Sequence, residues 1–398
     1  MHLGIDASNI RQGGGVTHLS QLLQAGDPTA QGIERVTIWV GAGTAAKLPN
    51  TPWLHKRSAP WMEAPLPQRL LGQQLSLPGE LRAQGCDLLF SPGGTLPAWS
   101  PVPTVTMSQN MLPFEPLEAA RFGRFSAMRL KMRLLRQSQS RSFRAADGLI
   151  FLTEYAQQAI TQALGPLPAD TALIPHGIEP RFLQAPRPAR PLSACTAQDP
   201  FRFLYVSILM PYKHQIQVAC AVSQLRAQGW PVEIRFIGAS WGHYGPRFRA
   251  VLEELDPGRS FLHWSGAEPF EALHASYRAS DAFVFASSCE NLPNILIEAM
   301  AAGLPIASAD RGPMPEALGN AGVYFDPESL ESITNALQQL AQDKGLRQHL
   351  AHLGWQRAQR YSWVRCAQET FAFLAQVAQR QPRTRRVPAP LGREERKD

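Results

Sequence analysis

Short apolar runs alternate along this chain with longer stretches in which apolar positions recur every three or four residues. LGIDAS opens the series, and ERVTIWV, CDLLFS, VPTVTM and DGLIFL follow. Runs of that length, rich in Val, Ile, Leu and Phe, suit strands buried on both faces of a parallel sheet. Their alternation with helical or irregular pieces predicts an α/β, doubly wound arrangement. Beyond residue 200 the pattern starts again with FRFLYVS, VEIRFIGAS, SFLHWSGA and DAFVFA, which predicts a second sheet of the same kind. The proline-rich stretch at 184–200, QAPRPARPLSACTAQDP, separates the two series and reads as a linker. The predicted organisation is therefore a first domain at 1–183, a linker at 184–200 and a second domain at 201–360. A helix follows at 361–379, and residues 380–398 have almost no apolar content and read as a disordered basic tail. Prolines with Trp53 and Trp61 break the pattern between 49 and 67, predicting a surface loop.

Composition narrows the class. With 398 residues the chain is long enough for two cores, and 44% hydrophobic against 18% charged residues is a globular balance. The opening MHLGIDASN has no basic or long apolar segment, so it gives no sign of export, and no apolar run reaches the ~20 residues of a membrane helix. Five cysteines without a C-x-x-C pair suggest a reduced, cytoplasmic compartment. The net charge of +7 is unevenly placed: residues 119–146 hold eight Lys or Arg and no acid, interleaved with Phe, Met and Leu. That basic amphipathic helix suits an anionic membrane surface, or equally a solvated helix with one face on the core. No recognition module surrounds it, so no nucleic acid partner is expected. There is no D-x-D and no His or Cys cluster at ligand spacing, so no metal is expected either.

The chemistry concentrates at 281–316, DAFVFASSCENLPNILIEAMAAGLPIASADRGPMPE, which reads strand, polar turn, helix, strand. Glu290 and Glu298 bracket the turn, about two helical turns apart. Acids at a helix start commonly serve only the helix dipole. The carboxyl edge of a parallel sheet is also where ligands bind, and a helix start there meets anions. On that reading Glu290 accepts hydrogen bonds from sugar hydroxyls, the amides near Leu292 and Asn294 face phosphate oxygens, and Glu298 holds a ribose diol. Gly13, Gly14 and Gly15 let backbone approach a ligand at a second helix start, without forming a dinucleotide fingerprint. Lys213, just ahead of a helix, is either solvated surface or the cation that neutralises a diphosphate.

ENLPNILIEAMAAGLPI resembles the E-x7-E signature of retaining, nucleotide-sugar-dependent glycosyltransferases of the GT-B fold, glycosyltransferase family 4 (group 1). RGPMPEALGNAGVYFDP and RYSW are similar to the same family's C-terminal half. The resemblance implies two Rossmann-like domains facing a cleft, an acceptor-side first domain, a donor-binding second domain, and a last helix at 361–379 returning to the first. It implies transfer of a hexosyl group, with retention and without metal or other cofactor, from a nucleotide diphosphate sugar to a glycan or lipid-linked acceptor. Cell-surface polysaccharide or lipopolysaccharide synthesis at the inner face of a membrane is the implied setting.

Carried onto this sequence, the resemblance makes Glu290 and Lys213 catalytic. Gly14, Gly15, Gly266, Asn291, Leu292, Pro293, Asn294 and Glu298 become donor-binding, and Gln109, Asn110 and His18 acceptor-side candidates. Glu316 is given a structural role, fixing the neighbouring loop. Two positions depart from the pattern. Gln109 stands where the family often has histidine and cannot act as a base, which leaves Glu115, His18 or the departing phosphate. Ile208 stands where an arginine is common, so one positive clamp is missing or is supplied elsewhere, for instance by Arg311 or Arg11. These departures leave open a non-catalytic protein that docks on membrane or polyanion through a degenerate GT-B scaffold.

Overall fold

The computed structural model describes residues 1–11, 13–167, 169–242 and 244–380. Strands β1 (His2–Ala7), β2 (Arg35–Val40), β3 (Leu54–Arg57), β4 (Leu88–Ser91), β5 (Thr104–Met107), β6 (Gly148–Phe151) and β7 (Asp170–Leu173) form one parallel sheet in the order β3-β2-β1-β4-β5-β6-β7. Strands β8 (Phe201–Val206), β9 (Val232–Ile237), β10 (Leu262–Trp264), β11 (Ala282–Phe285), β12 (Ile306–Ala309) and β13 (Gly322–Phe325) form a second, in the order β10-β9-β8-β11-β12-β13. Strand order reverses between β1 and β4 and again between β8 and β11. Those two switch points are where an open α/β sheet leaves a crevice at its carboxyl edge.

The sequence pattern explains the central strands. Every residue of β4, β5, β6, β11 and β12 is buried, as continuous apolar runs require when helices cover both faces. One hydrophobic cluster runs from Leu3 and Ile5 in the first sheet to Phe203 and Phe283 in the second. The closing helix Trp363–Gln379, N-capped by the Ser362 side chain, lies on the first domain. Its Phe371 ring fills the space beside Gly26, where a Cβ would come within 2.4 Å. The chain crosses over at Gly177, where a Cβ would meet the Trp363 backbone nitrogen at 2.1 Å, and Ile178 bridges to Ser362 there.

Two elements differ from expectation. Residues 49–67 are not one loop: they hold edge strand β3 and the helix Pro60–Glu63. Only Leu54 of that strand is buried, and an edge strand with one apolar contact carries no alternating signal. The basic stretch at 119–146 is not one helix either. Pro116–Ala120 and Ala127–Ala145 are separated by a turn at Gly123, whose φ of +95° lies in the left-handed region. The tail assigned to 380–398 falls, beyond Arg380, outside the described residues.

Candidate active site between the two domains

The turns after β8 and β11 are neighbours because their strands pair, with Phe203 beside Ala282. Lys213 ends the first turn and Glu290 lies in the second, and the ammonium donates to Glu290 Oε1. Lys213 is only 5% exposed, 5.3 Å and 5.4 Å from the ring centres of Tyr212 and Phe285. The turns are locked further: Ser288 N donates to the Tyr212 carbonyl at 2.9 Å, and Tyr205 Oη to the Lys213 carbonyl at 2.5 Å. His214, at φ +51°, starts the helix Gln215–Ala227 and sets its Nε2 3.0 Å from Ser288 Oγ. A charged pair is thus built into a rigid carboxyl edge, where a sugar diphosphate needs one acid for hydroxyls and one cation for phosphate.

The first domain grips the Glu290 turn. Thr153, the N-cap of the helix Glu154–Leu164, donates its hydroxyl to the Asn291 carbonyl at 3.0 Å. Asn291 Nδ2 donates to Ser108 Oγ at 3.0 Å, and His176 Nδ1 lies 3.1 Å from Asn294 Oδ1 at the start of the helix Asn294–Ala301. Next to Ser108, Gln109 Oε1 lies 3.3 Å from where a Cβ on Gly15 would sit, so the glycine loop and the β5 edge converge. Glu118 accepts from Ser288 Oγ at 2.5 Å, while Arg121 pairs with Glu118 and, across the domains, with Glu328 at 2.8 Å.

Each candidate takes a definite place. Gly14 begins the helix Gly14–Ala25 exposed, with open space around it. Gly266, at φ +75°, accepts from Gly238 N at 2.7 Å beyond β10 and also faces open space. Leu292 and Pro293 are buried in the turn. Glu298 is buried, accepting from Tyr277 Oη at 2.9 Å, and burial pushes its pKa up to about 7. Asn110 is exposed and its Oδ1 accepts from Leu112 N at 3.1 Å, a turn-stabilising bond.

His18 stands apart from the acceptor-side assignment. It is 2% exposed, its ring 4.5 Å from His176 and 5.8 Å from Trp363, and burial holds its pKa well below the usual histidine range. In this conformation it presents no nitrogen to an acceptor. Glu115 is nearer the turn: it accepts from Tyr155 Oη, and burial raises its pKa, which suits a proton carrier. Neither suggested clamp stands free, since Arg311 pairs with Asp310 and Asp326, and Arg11 lies 3.6 Å from Glu63. Ile208 is 40% exposed at the edge of β8. Glu316 has a structural role, but across the domains: it accepts from Glu154 N at 2.8 Å and Tyr155 N at 2.9 Å, capping a first-domain helix from the second. Ser108, Thr153 and His176 were not legible as site residues, because only the fold brings them to the Glu290 turn, and Trp363 joins them only by stacking on His176.

Among the described residues no three His, Cys, Asp or Glu side chains gather to hold a metal ion, and no helix is long and apolar enough to cross a membrane.

Comparison with known proteins agrees with this fold. Residues 195–355 match the family model described as glycosyl transferases group 1. O-antigen chain mannosyltransferase B of Escherichia coli is 29% identical over 119 residues, 30% of this chain and 31% of that one. The chain spans less than a third of the length of the first curated relatives it matches. Sucrose-phosphate synthase from Thermosynechococcus elongatus superposes with a TM-score of 0.74 over 95% of this chain and 99% of its own, at 18% identity. Anabaena HepE, crystallised with UDP and glucose, superposes at 0.68 over 94% of this chain and 100% of its own, also at 18% identity. These likenesses establish the GT-B architecture.

Proposed function

We propose that this chain, whose residues 195–355 match group 1 glycosyl transferases and whose fold is GT-B, moves a hexosyl group from a nucleotide diphosphate sugar to a hydroxyl acceptor, with retention at the anomeric carbon and without a metal. The observation that carries the proposal is the ion pair of buried Lys213 with half-buried Glu290 at the β8/β11 switch point. With donor bound, Lys213 turns its charge to the diphosphate and Glu290 accepts from sugar hydroxyls. Such preorganised charge is usually the largest contribution to catalysis.

The helix start at Asn294 and the loop Gly14–Gly15 add backbone dipoles facing phosphate. Glu298, once its bond to Tyr277 opens, receives the ribose, and Gly266 borders the base. On the other side of the cleft Gln109 and Asn110 line the acceptor's approach, and Glu115 or the departing phosphate takes the acceptor proton. Closure over Asn291 and Asn294 keeps water from the donor.

The acceptor we propose is a glycan or lipid-linked sugar of cell-surface polysaccharide or lipopolysaccharide, met at the cytoplasmic face of a membrane. The helix Ala127–Ala145 supports that setting, because Leu130 and Leu134 are more than half exposed among its basic residues and Phe125, just before it, is 93% exposed. Incubation with UDP-, GDP-, ADP- and dTDP-sugars and a lipid extract, with product anomers read by NMR and EDTA present throughout, tests the reading. Retained configuration with one donor is the expected result; inversion, or loss of activity with EDTA, contradicts it. Gln109 and Ile208 favour a second reading, a non-catalytic binding protein. Turnover with any donor removes it.

A further inference from the structure

The β1/β4 switch point of the first domain holds polar groups that the donor chemistry does not use. Asp6, near the end of β1, is buried and accepts from Ser8 Oγ at 2.7 Å and Gln73 Nε2 at 2.5 Å. Burial raises its pKa. Gln73 lies on the helix Leu66–Leu75, is 1% exposed, and its Oε1 has no partner. One turn earlier Arg69 donates to Asn9 Oδ1 at 3.3 Å and to the Ala64 carbonyl at 3.1 Å. Among the described residues no carboxylate lies within ion-pair distance of Arg69. Burial and the neighbouring charge of Arg11 both lower its pKa, Glu63 being the one acid opposing them. Asn9 Nδ2 and Arg11 Nε likewise lack partners. Arg11 Nη2 donates to the Met62 carbonyl and lies 3.6 Å from Glu63 Oε2, while Glu63 Oε1 accepts from Ala42 N at 2.6 Å. Two guanidiniums and an amide thus meet a single acid just ahead of the glycine loop, on the acceptor side, which leaves one positive charge in excess.

Resting on the glycosyl-transfer reading, we propose that the Arg11, Arg69 and Asn9 cluster binds a phosphate group on the acceptor. A phosphate dianion would complement the excess positive charge, accept from both guanidiniums and use the idle Asn9 amide. The helix that carries Arg69 also carries Leu66, Leu70, Leu71 and Leu75, exposed by 46%, 39%, 58% and 70%. Apolar side chains left in water beside an anion site suit the hydrocarbon next to a lipid phosphate. The helix leans on the loop that Ala127–Ala145 also touches: Gln74 Oε1 accepts from Ala98 N at 2.6 Å, and Ser142 Oγ from Leu96 N at 2.9 Å. Both helices therefore contact one loop, and a lipid tail would leave the cluster along the exposed leucines of the helix Leu66–Leu75.

The test is calorimetric titration of the full chain with geranyl phosphate, geraniol and glucose 1-phosphate, each with and without UDP saturating the donor cleft. Geranyl phosphate should bind at least 10-fold tighter than geraniol. An Arg11→Gln/Arg69→Gln double variant should lose at least 10-fold for both phosphates while keeping wild-type UDP affinity, whereas Lys213→Ala should leave phosphate binding intact. Leu71→Ser/Leu75→Ser should weaken geranyl phosphate only. Wild-type phosphate affinity in the arginine variant, or its loss in Lys213→Ala, overturns the site. Equal affinity for glucose 1-phosphate and geranyl phosphate, unchanged in the leucine variant, overturns the lipid source and leaves a soluble phosphorylated acceptor. UDP binding by the wild type is read separately, so failure of the donor reading shows as failed UDP binding while the phosphate titrations without UDP stand alone.

Discussion

Lys213 and Glu290, 77 positions apart in the sequence, form an ion pair beneath the turn that joins β11 to the helix Asn294–Ala301. The Lys213 side chain is 6% exposed and that of Glu290 17%, so removing one leaves the other poorly solvated. Glu290→Gln and Lys213→Met should each lower kcat by ~10²–10³, the scale for losing one preorganised polar group. Each should also cost about 1–3 kcal/mol of stability, the range for leaving one hydrogen-bond partner unsatisfied, with the double variant costing less than the two singles added together. Steady-state kinetics and urea unfolding of the four proteins check this. Additive losses would mean that the pair does not act as a unit.

Glu298 sets a pH dependence of opposite sense to ordinary carboxylates. Burial raises its folded pKa from 4.5 to about 7. The folded protein therefore holds more protons than the unfolded chain between those values, and this residue's contribution to stability falls as pH rises through that window, then levels off. The full shift corresponds to about 3 kcal/mol. Glu298→Gln keeps an acceptor for Tyr277 Oη and has no proton to lose. It should gain on the wild type by up to that amount from pH 4.5 to 7, as followed by thermal unfolding. It should also weaken the nucleotide's own thermal shift, about 10-fold in affinity, if the carboxylate receives the ribose.

The histidine pair gives the acid limb. Burial holds His176 down to about 4 and His18 well below its ordinary value of 6.5, so both stay neutral in the folded state. Unfolded histidines take up protons first, and stability contributed by these rings is present above 6.5 and is lost as pH falls from there toward 4. Trp363 stacks on His176 at 5.6 Å between ring centres, so a charge there has no route to water. His18→Phe should flatten the limb between pH 6.5 and 4. His176→Ala should flatten it too and, because Asn294 loses its partner, should raise the donor KM severalfold. His18→Phe should not.

Sequence pattern carried the sheets because central strands, buried on both faces, are continuous apolar runs; β11 and β12 are the plainest cases. Edge strand β3 escaped because one buried leucine in four residues leaves no period. The Glu290–Lys213 pairing was legible only as two separate residues, since nothing in either segment specifies that β8 and β11 are neighbours. Glu316 shows the same limit: a glutamate at its own helix start reads as a local feature, yet its carboxylate caps a helix 162 residues earlier. His18 misled for a related reason. A histidine after a glycine loop looks like a ligand group, and only its partners, from the crossover at His176 and the last helix at Trp363, show that it is buried.

The helix Ala127–Ala145 makes the last prediction. Its inner face holds Met132, Gln139, Ser142 and Phe143, whereas Leu130 and Leu134 project outward between Arg129, Lys131, Arg133 and Arg136. A globular helix folded only for its own core would bury the leucines and expose the glutamine and serine. The inversion is explained if the outer face meets headgroups, with roughly 1 kcal/mol per basic residue from an anionic surface and further gain from each leucine that enters the interface. Vesicles with 30% phosphatidylglycerol, by experimental choice, should bind the wild type in sedimentation and release it as salt rises. Changing Arg129, Lys131, Arg133 and Arg136 to Gln should reduce binding at least 10-fold at low salt and remove most of the salt dependence. Leu130→Ser/Leu134→Ser should weaken binding while keeping the salt dependence. If both variants sediment like the wild type, the inverted face has another purpose and the membrane setting of the acceptor fails with it.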